Sequence, residues 1–211
     1  PISIAALATL LPDEKLSHMA RYGLEPMPDP EAGQALRDAL AKVKGKLQVG
    51  VINSIGARRD AKATDALASL LGDADAAISG AAAGALGRIG DAAAAKVLTG
   101  AIAGVSADKK QAFGDACIRC IEELTASGDR ETAASLAQAT RNADLPTHIR
   151  LAATRGAILA KGDEGVALLI ETLKATDWQT FALGLKVARE LKGEHVAKSL
   201  VGALPSLPVD R

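Results

Sequence analysis

The chain has 211 residues, with 25 Lys and Arg balancing 25 Asp and Glu, 48% apolar residues, and only one Trp, one Tyr and two Phe. About a fifth of it is alanine, so the apolar bulk is small and aliphatic, which suits close helix packing and excludes an all-β core. A formal net charge of zero argues against an electrostatic role on nucleic acid or an anionic membrane, since both call for a basic excess.

The first apolar stretch, Ile2 to Leu11, is too short to span a bilayer and lacks the basic flank of a signal peptide, so it reads as a leading helix. After it, an acidic residue followed seven positions later by a branched aliphatic recurs: Asp29 with Leu36, Asp60 with Leu67, Asp91 with Leu98, Asp129 with Leu136, Asp163 with Ile170, and Glu194 with Val201. Successive starts lie 31, 31, 38, 34 and 31 residues apart, a repeat period that decides the architecture. Each acid is expected to cap a short first helix, accepting from its free N–H groups and meeting the positive end of its dipole.

A second helix follows in each unit, apolar at steps 0, 3, 4, 7, 8 and 11, which is one face of a 3.6-residue helix. In chain order the copies are Leu16, Met19, Ala20, Gly23, Leu24, Met27; an imperfect one from Lys44 with Gln48, Val51, Ile52 and Ile55; and the clearest, Ile78, Ala81, Ala82, Ala85, Leu86, Ile89. Then come Phe113, Ala116, Cys117, Cys120, Ile121, Leu124; Ile149, Ala152, Ala153, Gly156, Ala157, Ala160; and Thr180, Leu183, Gly184, Val187, Ala188, Leu191. The longest period holds an extended second helix from about 107 to 126. Small residues at steps 4 and 7 admit a neighbouring helix closely. Gly56, Gly72-Asp73, Gly90-Asp91, Gly128-Asp129, Gly162-Asp163 and Gly193-Glu194 supply the punctuation, and no proline interrupts a stripe. The count is six antiparallel pairs plus a last helix from about 194 to 204.

The run Asp73-Ala-Asp75-Ala-Ala-Ile78-Ser79-Gly-Ala81-Ala82-Ala-Gly-Ala85-Leu86-Gly87-Arg88-Ile89-Gly90-Asp91 resembles a HEAT repeat of the bacterial variety, with its acidic turn and Ala-Leu-Gly-x-Ile-Gly-Asp ending. Ser79 stands where that family usually has Arg, and Arg150 after Ile149 restores the pattern. The segments Leu16–Leu24 and Gly50–Asp60 also resemble HEAT regions of large multidomain bacterial proteins. The resemblance covers nearly the whole chain and implies an all-α fold, an α-solenoid or α–α superhelix over residues 1–211 whose second helices line the concave side and receive a protein or peptide. A start at Pro1 and an end at Leu207-Pro208-Val209-Asp210-Arg211, where a new unit begins, suggest a piece of a longer chain.

Chemistry-bearing residues are sparse. Cys117-Ile-Arg-Cys120 has the C-x-x-C spacing of a redox or metal pair, but both sulfurs fall on steps that Ala82 and Ala85 fill elsewhere, so they read as small buried apolar groups. His18, His148 and His195 sit in separate units, and Glu194-His195 reverses the His-Glu order of metal-binding HEAT hydroxylases. Gly84-x-x-Gly87-x-x-Gly90 ends a helix and does not link strand to helix, which disfavours phosphate binding. Glu122-Glu123 and Asp163-Glu164 are explained by solvation and capping. No catalytic residue, metal site or cofactor is assigned.

Arg21, Arg88, Arg119, Arg155 and Arg189 lie off the apolar stripe of the second helices, with Tyr22 and Asn53 nearby. They form a candidate row along the groove, suited to carboxylate partners, against the alternative of pairing with acids of adjacent turns. Arg58-Arg59-Asp60 is expected to pair and cap locally. Trp178 reads as a packing wedge between repeats in preference to an exposed anchor. The expected function is non-catalytic binding of a partner protein or neighbouring domain through the concave surface, by a monomer, with no nucleic acid or membrane partner. The alternatives are the HEAT part of a lyase or glycosylase, since related solenoids act on tetrapyrroles or alkylated DNA, and a structural spacer. The compartment, cytoplasm or periplasm, stays open.

Overall fold

The computed structural model describes residues 2–207; residue 1 and residues 208–211, where a further unit was expected to begin, lie outside the described residues. The described residues form helix pairs in chain order: α1 (Ile2–Leu10) with α2 (Ser17–Leu24), α3 (Pro30–Leu40) with α4 (Gly45–Ala57), and α5 (Thr64–Leu70) with α6 (Ala76–Ile89). They continue with α7 (Ala92–Ile102) and α8 (Lys110–Ser127), α9 (Arg130–Asn142) and α10 (Thr147–Lys161), and α11 (Val166–Leu173) and α12 (Trp178–Glu190). A lone α13 (Glu194–Ala203) follows, and no strand occurs among the described residues. This is the expected all-α solenoid of six pairs and a terminal helix.

Local chemistry explains most helix starts. The carboxylates of Asp91 and Asp129 accept from the N–H groups of Ala94 and Thr132 at the first turns of α7 and α9. Asp75 and Asp177 do the same for the second helices α6 and α12. Three of the expected acidic caps fail. Asp29 precedes α3 without a side-chain bond, and Pro30 at the first helical position presets the turn. Asp163 lies inside a 3₁₀ turn, Gly162–Gly165, so α11 begins beyond its reach, and Glu194 is the first helical residue of α13, after Gly193.

One helix end also departs from expectation. Gly90 and Gly128 end α6 and α8 with φ of 63° and 91°, as the punctuation predicts, but Gly56 lies buried inside α4. There Arg59 takes the left-handed position, with φ of 51°, while its N–H bonds to the Gly56 carbonyl and that of Asp60 to the Ile55 carbonyl. Gly56 is needed for packing. A Cβ on it would sit 2.8 Å from the Ala85 Cα, and one on Gly87 would sit 2.5 Å from the Ala116 carbonyl oxygen. Backbone therefore meets backbone where α4, α6 and α8 stack.

The second helices pack in a row, each on the one before it, and more extensively than the first helices do. Open clefts separate α1 from α3, α7 from α9, and α9 from the Gly162–Gly165 turn. A stack whose one layer is closer than the other bends toward the closer layer, which makes the second helices the inner row. The core runs without a break from Ile4 to Ala160; beyond it Ile158, Leu169, Leu173, Phe181 and Val187 form a smaller one. The stripes from Ile78 and Phe113 are buried or nearly so, but Leu16 and Met19 are 45% and 63% exposed, because no helix covers that side of α2.

Candidate interaction surface

Each residue of the candidate row sits on a second helix, but the stack engages them differently. The guanidinium of Arg21 lies flat over Gly50 of α4, where any side chain would collide with it, and Nη1 donates to the Gly50 carbonyl at 3.1 Å and to Ser54 Oγ at 3.3 Å. Ser54 Oγ donates in turn to Glu25 Oε1 at 2.6 Å, closing a network between α2 and α4. Arg155 of α10 donates through Nε and Nη2 to both oxygens of Glu190 on α12, at 2.5–3.2 Å. That hydrogen bond, and the charge behind it, hold the Glu190 carboxyl below its usual range. Arg155 thus pairs with an acid of the next repeat, whereas Arg21 is engaged between repeats by a carbonyl and a hydroxyl and not by an acid.

Arg88, Arg189, Tyr22 and Asn53 are exposed, and Arg88 and Arg189 have no ion pair among the described residues. Arg119 is half exposed and makes only a 4.0 Å contact with Glu123, one turn on in its own helix. On α6 the exposed Ala77 and the half-buried Gly84 lead to Arg88, and α8 adds the exposed Asp115 and Glu122. The inner row thus offers free guanidinium groups over a low floor, with acids beside them and no enclosed cavity. Such a surface can bind carboxylates and hydrogen-bond acceptors presented by a partner.

The Arg58-Arg59-Asp60 turn reaches further than local capping. Arg58 Nη1 donates to the carbonyls of Leu24, Glu25 and Met27 at 2.7, 3.0 and 2.5 Å, satisfying the end of α2 in the preceding repeat. Arg59 passes over the end of α6 and makes two 2.6 Å bonds to Glu123 of α8, two repeats away. Asp60 pairs with Arg37 and caps the turn at Lys62. The partners, carbonyls at the end of α2, the Arg37 guanidinium and the Glu123 carboxylate, stand in three different repeats, and nothing in the local pattern of the turn points to them.

Cys117 and Cys120 are buried on α8, and burial pushes their thiols up to about 11 and about 12, so neither is a thiolate at neutral pH. His18, His148 and His195 are exposed and apart, and the described residues hold no cluster of three or more His, Cys, Asp or Glu that could take a metal. Among the described residues no helix is long and apolar enough to cross a membrane. Trp178 corrects its expectation. It is 66% exposed, its ring 5.7 Å from that of Phe181.

Residues 33–116 match the family model for HEAT repeats. No curated protein matches the chain in sequence. Among solved structures, the chain is similar to the complex of CpcE and CpcF of phycocyanin lyase from Nostoc sp. PCC7120, at 22% identity and a TM-score of 0.54, with 97% of this chain and 88% of that one covered. At that identity the likeness speaks for the fold alone.

Proposed function

We propose, for a chain that carries HEAT repeats, that it is a non-catalytic scaffold whose inner row of second helices binds a protein partner or an adjacent domain. The observation that carries the reading is the division among the arginines. Arg21 and Arg155 hold repeats together, whereas Arg88, Arg119 and Arg189, like Tyr22 and Asn53, are exposed on the second helices. A preformed rigid surface loses little conformational entropy on binding, so a few buried guanidinium contacts can select a partner. The similar CpcE–CpcF structure is a complex, which supports a protein partner. The experiment is cross-linking with mass spectrometry on the wild type and on the variant Arg88→Glu, Arg119→Glu. Cross-links from a partner to α4, α6 and α8 that vanish in the variant, with helical content and melting unchanged, are the expected result; an unchanged set of partners sinks it.

The similarity to a phycocyanin lyase complex favours one further reading, that this solenoid is the HEAT part of a lyase. Titration with a free bilin distinguishes the two, because a lyase component shifts the pigment's absorbance at stoichiometric ratio and a protein scaffold does not.

A further inference from the structure

The α9–α10 and α11–α12 turns stand side by side at one edge of the stack, and a cleft of about 660 Å³ opens between them. It is lined by three cations, Arg141 at the end of α9, Arg150 in the first turn of α10 and Lys174 just past α11, together with the acids Glu171 and Asp177. The cleft lies between two repeats and not at an end of the stack, since α13 packs on α11 beyond them.

One junction earlier the same edge is closed by a charge pair, in which Lys110 at the start of α8 meets Asp144 of the next turn at 2.5 Å. At the α9–α10 and α11–α12 turns the cations are left over. Asp177 caps α12 by accepting from the Thr180 N–H. Arg150 turns back and donates through Nε to the Arg141 carbonyl at 3.2 Å, which holds its guanidinium in place and leaves both η nitrogens without a hydrogen-bond partner among the described residues. Arg141 Nη2 lies 3.9 Å from Glu171, too far for a hydrogen bond, and the exposed Lys174 has no ion pair among the described residues. Unanswered donors on three elements thus line one cleft.

Its volume is in the range that holds small organic ligands, and it is larger than a bare anion needs. Three cationic donors match the three free oxygens of a phosphate monoester, whereas a carboxylate has only two to offer. No aromatic side chain lines the cleft, so a nucleobase has nothing to stack on, but Asn142 and Thr147 can exchange hydrogen bonds with hydroxyl groups. We propose that this cleft binds the phosphate monoester of a small hydroxylated molecule, its phosphate held by Arg150 and Lys174 beside Arg141. The site is separate from the Arg88–Arg119 surface and stands or falls independently of it.

The probe is ribose 5-phosphate, titrated into the full chain by calorimetry at fixed ionic strength. One-site saturation is expected, with inorganic phosphate at least about tenfold weaker and ribose without effect. Lys174→Gln and Arg150→Gln should each raise the half-saturating concentration about tenfold, and Lys96→Gln, at an exposed lysine on α7, should leave it unchanged. Lys174 holds no other element, so its replacement keeps the fold, which circular dichroism checks. Because the ligand touches both walls, hydrogen exchange should slow at the ends of α9 and α11 together. No saturation, equal affinity for inorganic phosphate, or binding that Lys174→Gln leaves intact overturns the proposal.

Discussion

The stack from α4 to α8 and the end from α11 to α13 are made of the same kind of helix pair, yet they hold together differently. In the first, glycine and alanine bring backbones into contact and the core runs on unbroken. In the second, the core is a separate cluster around Phe181, the junction to the rest leans on the Arg155–Glu190 pair, and large apolar groups face outward. Stability of a repeat protein is a sum of units and junctions, so the difference teaches that side-chain size at the junction, more than helix propensity, sets how strongly neighbours are coupled.

The hardest test of that statement is Gly87→Val. The added Cβ would sit 2.5 Å from the Ala116 carbonyl oxygen, which is backbone and cannot swing aside, so α6 and α8 must separate. The expected loss is about 3 kcal/mol or more, read by urea unfolding, with the transition splitting into two as the stack is severed. A single transition at the wild-type midpoint would show that the close junction is dispensable.

Phe181→Ala probes the other region. It removes the largest member of the small core, at a cost of about 3 kcal/mol to α11–α13. Hydrogen exchange is the measurement: amides of α11 and α12 lose protection while those of α6 and α8 keep theirs. Equal loss throughout would mean that the two cores unfold as one, and the distinction between the regions would go.

The sequence already displays most of this architecture, because a repeat writes its core several times over. The Phe113–Leu124 stripe is buried, and the six pairs and the lone α13 appear where spacing places them. Its errors about burial share one cause, which is that a stripe predicts burial only where a neighbour exists to cover it. Leu16 and Met19 fit a helical template yet are exposed on α2, as is Trp178, which was read as a wedge between repeats, on α12, and periodicity within a helix carries no record of what stands beside it. The candidate site was legible as a list and not as an arrangement. That Arg21 spreads over Gly50 while Arg88 stays free depends on contacts between repeats 29 or more residues apart. Arg59 in a left-handed position gave no signal at all, since glycine is the residue that pattern reading looks for there.

Arg155→Ala tests the junction between the regions more gently. Both partners are about a third exposed, which limits the pair to about 1 kcal/mol or less. Its pH dependence gives the sharper signature. Glu190 titrates lower when folded than its ordinary 4.5, so the pair's contribution is present above that value and is lost as pH falls through the folded one. Wild type and variant should therefore differ at neutral pH and converge in acid; a constant difference would assign the effect to packing of the arginine stem.

The smallest effect has the opposite sign. Gly84 lies three residues before Gly87 on α6, but a Cβ there meets nothing within 4 Å. Gly84→Ala should raise stability by about 0.5–1 kcal/mol, because alanine restricts the unfolded chain and favours the helix without touching a neighbour. Thermal and urea unfolding read it directly. The same chemical step, hydrogen to carbon, thus stabilises on the outward face of one helix and breaks the junction on the inward face. If Gly84→Ala destabilised instead, α6 would be under a constraint on its open side that the helices packed around it do not impose.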